Sequence, residues 1–379
     1  MSKIRRIQLN EVVIPARPDS INSAGIDQPL HKLPQGAKRG WTQQFDALPK
    51  TIIRLELDNG VIGLGETYRA VPLSLSQEVA TSLVGVEIDE LNLQSLPLPT
   101  GRVYDGFECA IVDAAAKSAE LPLYRFLGGK YRDSVLCAYW SGHRTTPDAV
   151  LKAEAAVALG YSHIKFKCDL KDPVVDWCQG IYDSCGKGMS VILDPNERFE
   201  LAAHTVKIAN ALAPIGNLLY LEDPIPRWDM QSWSYLRSKI SVPLSMHISL
   251  PYLEMGQTIH DLATAARLGV SDYFNFNGGI YAFRRMAFFA DLFGTPCSHG
   301  SELDFGILEA SYVQKVASVP NGTLPSDIFG RLIREHDLLA EQLRIEQGRV
   351  EVPSGPGIDV QIDTAALEHY QTSQWEVEG

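Results

Sequence analysis

Two lysines one residue apart, Lys165 and Lys167, end an apolar run that reads Ile164-Lys165-Phe166-Lys167-Cys168. Strand alternation sends both ammonium groups to one side and Phe166 and Cys168 to the other. Two cations sharing one space repel, so the pair is tolerable where an anion lies between them or where one amine readily gives up its proton. That is a setting for binding a carboxylate and moving a proton, although two solvated lysines on an edge strand would give the same pattern. Further on, Asp194-Pro195-Asn196-Glu197 and Leu221-Glu222-Asp223-Pro224 put carboxylates at the ends of two more apolar runs. Carboxylates held close together need a cation, and hard oxygen donors without thiolates suit Mg2+. Asp194 and Glu222 are therefore candidate metal ligands. The next run, Val242 to His247, ends in an imidazole, which suits Mn2+, Zn2+ or Fe2+ better than Mg2+. His299, at the end of Thr295 to His299, is a candidate acid/base group.

What these residues have in common is where they fall. Short apolar runs alternate with helix-length stretches: Val135 to Tyr139, His163 to Lys167, Ser190 to Asp194, Asn217 to Glu222, Val242 to His247, Asp272 to Phe276 and Thr295 to His299, with a weaker candidate at Gly322 to Ser326. About eight such units, each of roughly 25 residues, predict an α/β fold of the (β/α)-barrel, TIM-like class. The C-terminal strand ends of such a barrel form one face, so Lys167, Asp194, Glu222, His247 and His299 would gather around one axis, with His299 across from Lys167. No glycine-rich phosphate loop follows an early strand, which argues against an open dinucleotide-binding sheet.

Residues 1–130 read as a separate α+β capping domain. Ile4 to Val13 alternates, Thr51 to Glu66 is two strands around an Asn59-Gly60 turn, and Phe107 to Glu120 is helical. Between the strands, residues 15–44 form a long connection rich in Pro, Gly, Asn and Asp, of a length more often functional than idle. Arg39 and Trp41 within it are candidate substrate contacts. The barrel spans residues 131–355, and residues 356–379 are expected to return to the cap. The net charge of −12 without a basic block excludes nucleic acid and anionic membrane as natural partners. The N-terminus lacks the apolar segment of an export signal, and the six cysteines show no metal-type pairing, so a reducing cytoplasm is expected.

Taken together, the Leu121-Pro-Leu-Tyr-Arg-Phe-Leu-Gly-Gly-Lys segment, Lys165-x-Lys167, Asp194-x-Asn196, Glu222-Asp-Pro224, Gly278-Gly279-Ile280 and Val352-Pro-Ser-Gly-Pro-Gly-Ile-Asp resemble, in order and spacing, the enolase superfamily and within it the mandelate racemase and acid-sugar dehydratase group. The resemblance implies metal-dependent removal of the proton α to a carboxylate, with Mg2+, or Mn2+ or another divalent ion if His247 is a ligand, stabilising the intermediate. By the same resemblance Lys167 is the base, Lys165 binds a carboxylate oxygen beside it, Asp194 and Glu222 hold the ion, Asn196 supports the site and His299 is the opposite acid/base. A homo-oligomer acting on a small carboxylate is implied as well.

The chain departs from that pattern at three places. The third metal position, usually a Glu, reads Met246-His247-Ile248; the sixth run offers Asn275 or Asn277 where an Asp normally pairs with the histidine; and Ser326 or Asp327 stands near the eighth, where a Glu often polarises the substrate. Asn275, Asn277 and Asp327 are therefore expected to touch substrate. Dehydration of an acid sugar to a 2-keto-3-deoxy acid is the favoured reading. A racemase, epimerase or cycloisomerase is the second, and a non-catalytic barrel with a degraded metal site is the alternative of another class.

Overall fold

The computed structural model describes residues 2–26, 28, 49–248 and 258–379. Its centre is a parallel sheet whose seven strands follow one another in chain order: Tyr139–Ser141, His163–Lys167, Ser190–Asp194, Leu218–Glu222, Leu244–Ile248, Tyr273–Phe276 and Cys297–His299. An eighth stave closes it without being a regular strand. Leu324 N bonds Cys297 O on one side, and on the other Ser326 N bonds Leu136 O while Ala138 N bonds Ser326 O. The weak run at Gly322 to Ser326 is thus where the barrel shuts. The run expected as one first strand, Val135 to Tyr139, splits instead: Ser134–Leu136 pairs antiparallel with Arg349–Glu351, and only Tyr139–Ser141 enters the barrel.

Alternation fixes what each barrel strand presents. The outward residues Phe166, Leu193, Leu221, Met246, Phe274 and Phe276 join the main apolar core under the helices, with Phe166 against Trp177 at 5.3 Å between ring centroids. The inward set begins with a small apolar layer of Ala138, Ile192 and Tyr220. Trp140, which pairs with Lys165, is inward and apolar as well, while Lys165, Ser245, Asn275 and Ser298 are inward, polar and buried. Of these, Lys165 is fully paired, whereas Ser245 Oγ and Asn275 Oδ1 are buried without a hydrogen-bond partner.

The capping sheet orders its strands Gln371–Glu378, Ile4–Val12, Lys50–Leu57 and Ile62–Glu66, so the end of the chain pairs with its beginning. Helix Tyr104–Ser118 lies on this sheet. Gly63 and Gly65 let it approach, since a Cβ at Gly63 would stand 2.0 Å from Ala110 O and one at Gly65 the same distance from Gly106 O. The cap then docks through carboxylates placed at barrel helix N-termini, where unpaired N–H groups and the helix dipole favour negative charge. Glu66 accepts from Phe305 N and Leu308 N at the start of Gly306–Ala317, and Glu108 from Ile280 N and Tyr281 N at the start of Ile280–Asp291. Lys50, fully buried, pairs with Glu66 and with Asp304 at 2.7 Å, fastening the cap to the loop after the seventh strand. None of the described helices is long and apolar enough to cross a membrane.

Two predictions concern stability. Lys50→Met leaves Glu66 and Asp304 buried against each other without their cation, and should cost about 3–5 kcal/mol in urea unfolding. His163, at the foot of the second strand, is held down to about 4 by burial and by the Arg349 guanidinium. It is neutral in the fold but protonates in the unfolded chain below its ordinary value. Its contribution is therefore intact above pH 6.5 and lost as pH falls toward 4, on the order of 2–3 kcal/mol. His163→Gln should flatten that part of the stability–pH curve, and an unchanged slope would exclude this account.

Candidate active site

The second, third and fourth strands bring their charged ends into direct contact. Lys167 lies opposite Asp194 in the strand register; its Nζ is 2.5 Å from Asp194 Oδ2 and 2.7 Å from Asn196 Oδ1. Asn196 and Glu197 both take left-handed backbone, at φ 44° and 69°, a cost of order 1–3 kcal/mol per strained residue that the surroundings must hold in place. The turn sets the Asn196 amide on the lysine. Lys165, buried deeper, touches three carboxylates: Glu222 at 2.9 Å, Asp327 at 2.9 Å and Asp194 at 3.1 Å. Burial alone would depress its pKa, but Asp327, Glu222 and Asp194 outweigh that and hold it well above the usual lysine range. Asp194 goes the other way: burial would raise it, and Lys167 with Lys165 keeps it well below the usual carboxylate range.

His247 is the penultimate residue of the fifth strand, its Nδ1 3.5 Å from Glu222 Oε1 and its Nε2 2.9 Å from Asn277 Oδ1. Burial, then the Arg227 and Lys165 cations, hold its imidazole well below the usual range, so it is neutral. Asn275 donates to Glu222 Oε1 at 3.1 Å. Asn277, expected to touch substrate, is engaged by His247 and by Glu302, to which its Nδ2 donates at 3.2 Å. Asp327, another expected substrate contact, is the third partner of Lys165.

His299 requires a correction. On the seventh strand Ser298 pairs across to the inward Asn275, and His299 to the outward Phe276. Its ring therefore packs among the helices, stacked on Tyr312 at 3.7 Å and beside Phe283 at 4.9 Å. Its Nδ1 donates to Gly300 O, while Nε2 is buried without a hydrogen-bond partner. Burial and the nearby Lys315 depress its pKa well below the usual range. The inward place belongs to Gly300, where a Cβ would stand 2.2 Å from Asn277 Oδ1 and 2.6 Å from His247 Nε2. The structure thus does not set His299 across from Lys167, because counting to the strand's last residue ignored its parity.

Arg39 and Trp41 lie outside the described residues. Sequence reasoning missed Glu302, which holds Arg102 at 3.0 Å and Arg69 at 3.4 Å from the cap; its position just past Gly300 was the available signal. It also missed a half-buried group beside the second strand. His143, Asp169 and Asp172 offer ligand atoms within 4.8 Å of one another, the only such set among the described residues. His143 Nδ1 is 2.6 Å from Asp172, however, and Arg198 lies 3.3 Å from His143 Nε2 and 3.9 Å from Asp169. The set already carries its own cation.

At the barrel axis the balance is different. Two ammonium groups face the three carboxylates of Asp194, Glu222 and Asp327, leaving one negative charge in excess. The surplus falls on Glu222: burial pushes its carboxyl up to about 8, and its Oε2 is buried with no hydrogen-bond partner. An orphan carboxylate oxygen beside a neutral imidazole and a second carboxylate fits a divalent ion. Asp194, Glu222 and His247 are not drawn as tightly as the His143 set because the Lys165 ammonium sits between the two acids.

The chain thus sets a lysine pair against strand-end carboxylates in a closed parallel barrel under an α+β cap. The family profile described as "Enolase C-terminal domain-like" matches residues 148–366, more than half of the chain. The chain belongs to that family, and it is an enolase-superfamily enzyme of the mandelate racemase and acid-sugar dehydratase-like group. It is 26% identical to a "Probable glucarate dehydratase" of Streptomyces coelicolor over 96% of this chain and 90% of that one. It is 22% identical to "Muconate cycloisomerase 1" of Rhodococcus opacus, covering 92% and 97%. The fold matches the crystal structure of N-succinyl Arg/Lys racemase from Bacillus cereus with a TM-score of 0.83 at 19% identity, covering 99% of this chain and 100% of that one. Members of the superfamily use a divalent metal, typically Mg2+.

Gly300→Ala should displace the His247–Asn277 pair without touching the lysines. A loss of turnover on the order of 10²-fold with an unchanged circular dichroism spectrum is expected; near-full activity would show that the pair does not support the chemistry.

Proposed function

We propose that this enzyme eliminates water from a hydroxylated carboxylic acid, an acid sugar, yielding a 2-keto-3-deoxy acid. The observation that carries the reading is the placement of the two acid/base candidates: Lys167 rests on Asp194 and Asn196 beside Lys165, whereas His299 faces the helices and not the barrel axis. Asp194, Glu222 and His247 would hold the ion, which when bound supplies positive charge to a substrate carboxylate and its developing dianion. With Lys165 as the ammonium and Lys167 as the free amine, a dipositive ion balances the three carboxylates of Asp194, Glu222 and Asp327 before a substrate enters.

Lys165 binds a carboxylate oxygen. The α C–H bond breaks as Lys167 Nζ, entering as the free amine, takes the proton, and the electron pair moves into the carboxylate as an enediolate. The pair then returns to form the Cα–Cβ double bond while the Cβ–O bond breaks. The proton on Lys167 passes to the departing hydroxyl on the same face, giving water and an enol that becomes the keto acid. Every proton is accounted for by one lysine, so the geometry favours a syn elimination. A two-base racemisation is disfavoured, since His299 is packed among helices. Support comes also from relatives named as dehydratases, a probable glucarate dehydratase in Streptomyces coelicolor and a D-xylonate dehydratase in Haloferax volcanii. A cycloisomerase is the second reading, because it too needs one proton-transferring residue, and two muconate cycloisomerase relatives cover 90% or more of the chain.

The test is turnover of an acid-sugar panel with Mg2+ or Mn2+ in D2O. Formation of a 2-keto-3-deoxy acid is expected, abolished by Lys167→Ala and by chelator, with His299→Asn keeping activity within about tenfold. Deuterium exchange without water loss would replace elimination by an isomerase reading. Loss of activity in His299→Asn equal to that in Lys167→Ala would restore a two-base mechanism, and failure to bind either metal would favour a non-catalytic barrel.

A further inference from the structure

We propose that Asn277 and Glu302 are positioning residues that fix the tautomer of His247, leaving Nδ1 as its lone-pair donor toward Glu222, and that the cap sets this arrangement through Arg69 and Arg102. The proposal rests on the reading that His247 holds the ion with Asp194 and Glu222. It follows from donor and acceptor counting along one line of contacts.

Glu302 Oε2 pairs with Arg102 at 3.0 Å and Arg69 at 3.4 Å, so the group is a carboxylate that can only accept. Its Oε1 lies 3.2 Å from the Asn277 amide, which must therefore present its NH2 to it. The other end of that amide, Oδ1, is then turned to His247 Nε2 at 2.9 Å. An amide oxygen accepts only, so Nε2 carries the hydrogen. With Nε2 committed to donating to Asn277, the ring nitrogen left to offer a lone pair is Nδ1, which faces Glu222 Oε1 at 3.5 Å. Turning the Asn277 amide over would set its oxygen against the Glu302 carboxylate and its NH2 against an N–H. Gly300 keeps the space, since a Cβ there would overlap both Asn277 Oδ1 and His247 Nε2. Ligating histidines depend on such partners of the second nitrogen for orientation and basicity. Arg69 follows the cap strand Ile62–Glu66 and Arg102 precedes the cap helix Tyr104–Ser118. Cap and metal ligand are therefore joined by four hydrogen-bonded or ion-paired residues.

The experiment reads the ring nitrogens of His247 by 15N NMR in metal-free, histidine-labelled protein, and Mn2+ affinity by calorimetry. In the wild type the Nε2–H tautomer is expected. Asn277→Ala should mix the tautomers and weaken Mn2+ binding about 10–100-fold, with thermal unfolding showing that the fold persists. Asn277→Asp alone sets two carboxylates face to face and should weaken binding too. Adding Glu302→Gln to it inverts donor and acceptor between the two positions while keeping an acceptor on His247, and should restore affinity to within about threefold. An Nδ1–H tautomer in the wild type, or an Asn277→Ala affinity within about twofold of wild type, overturns the proposal. Mn2+ binding that Asp194→Asn leaves unchanged would instead sink the assignment of the ion site, while the tautomer of the metal-free protein still decides the role of Asn277.

Discussion

The barrel axis holds more negative charge than the chain's own cations cover. Three carboxylates and two ammonium groups converge in a largely buried space, and the remainder settles on an oxygen of Glu222 that has no hydrogen-bond partner. In a low-dielectric interior such an excess is expensive and resolves by protonation or by an added cation. A structure optimised for its own stability would have spent fewer charges here. The excess makes sense as the resting state of a centre completed by an ion and a substrate carboxylate.

Holding that centre is a matter of the surrounding bonds. Positive φ at Asn196 and Glu197 aims the Asn196 amide, and the Lys165 contacts lock the second, third, fourth and eighth staves together. The cap contributes from above. Glu66 and Glu108 occupy the N-termini of the helices that follow the seventh and sixth strands, and Lys50 grips Asp304. Those are the strands that carry Gly300 and Asn277, so the same contacts that dock the cap also set the line from Arg102 through Glu302 to His247.

Charge placement also separates the two histidines. His247 has inward parity and polar company; His299, whose sequence context looked as promising, sits between Tyr312 and Phe283. The His143 group shows the complementary case, in which metal-like donors in close array are already served by Arg198.

Much of this was legible in the sequence. Short apolar runs separated by helix-length stretches are enough to predict a barrel, because a parallel strand buries both faces and needs a crossover of that length. Lys165, Lys167, Asp194 and Glu222 could be grouped because strand ends in a barrel share one rim, and the lysine spacing puts both ammonium groups on one side. Three things depended on the tertiary structure. The first run divides between two sheets, since the partner Arg349–Glu351 comes from more than two hundred residues away. The eighth stave closes the barrel by single bonds that leave no pattern of residues. His299 faces outward and Gly300 inward because one residue of register turns a side chain to the opposite face, and local sequence does not state which residue of a short apolar run sits inward. The sequence by itself determined the fold class and the charged pairs whose spacing is local; which neutral groups orient them was decided only by packing, because hydrogen-bond partners such as Asn277, Glu302 and Arg102 are brought together by the fold and not by their order in the chain.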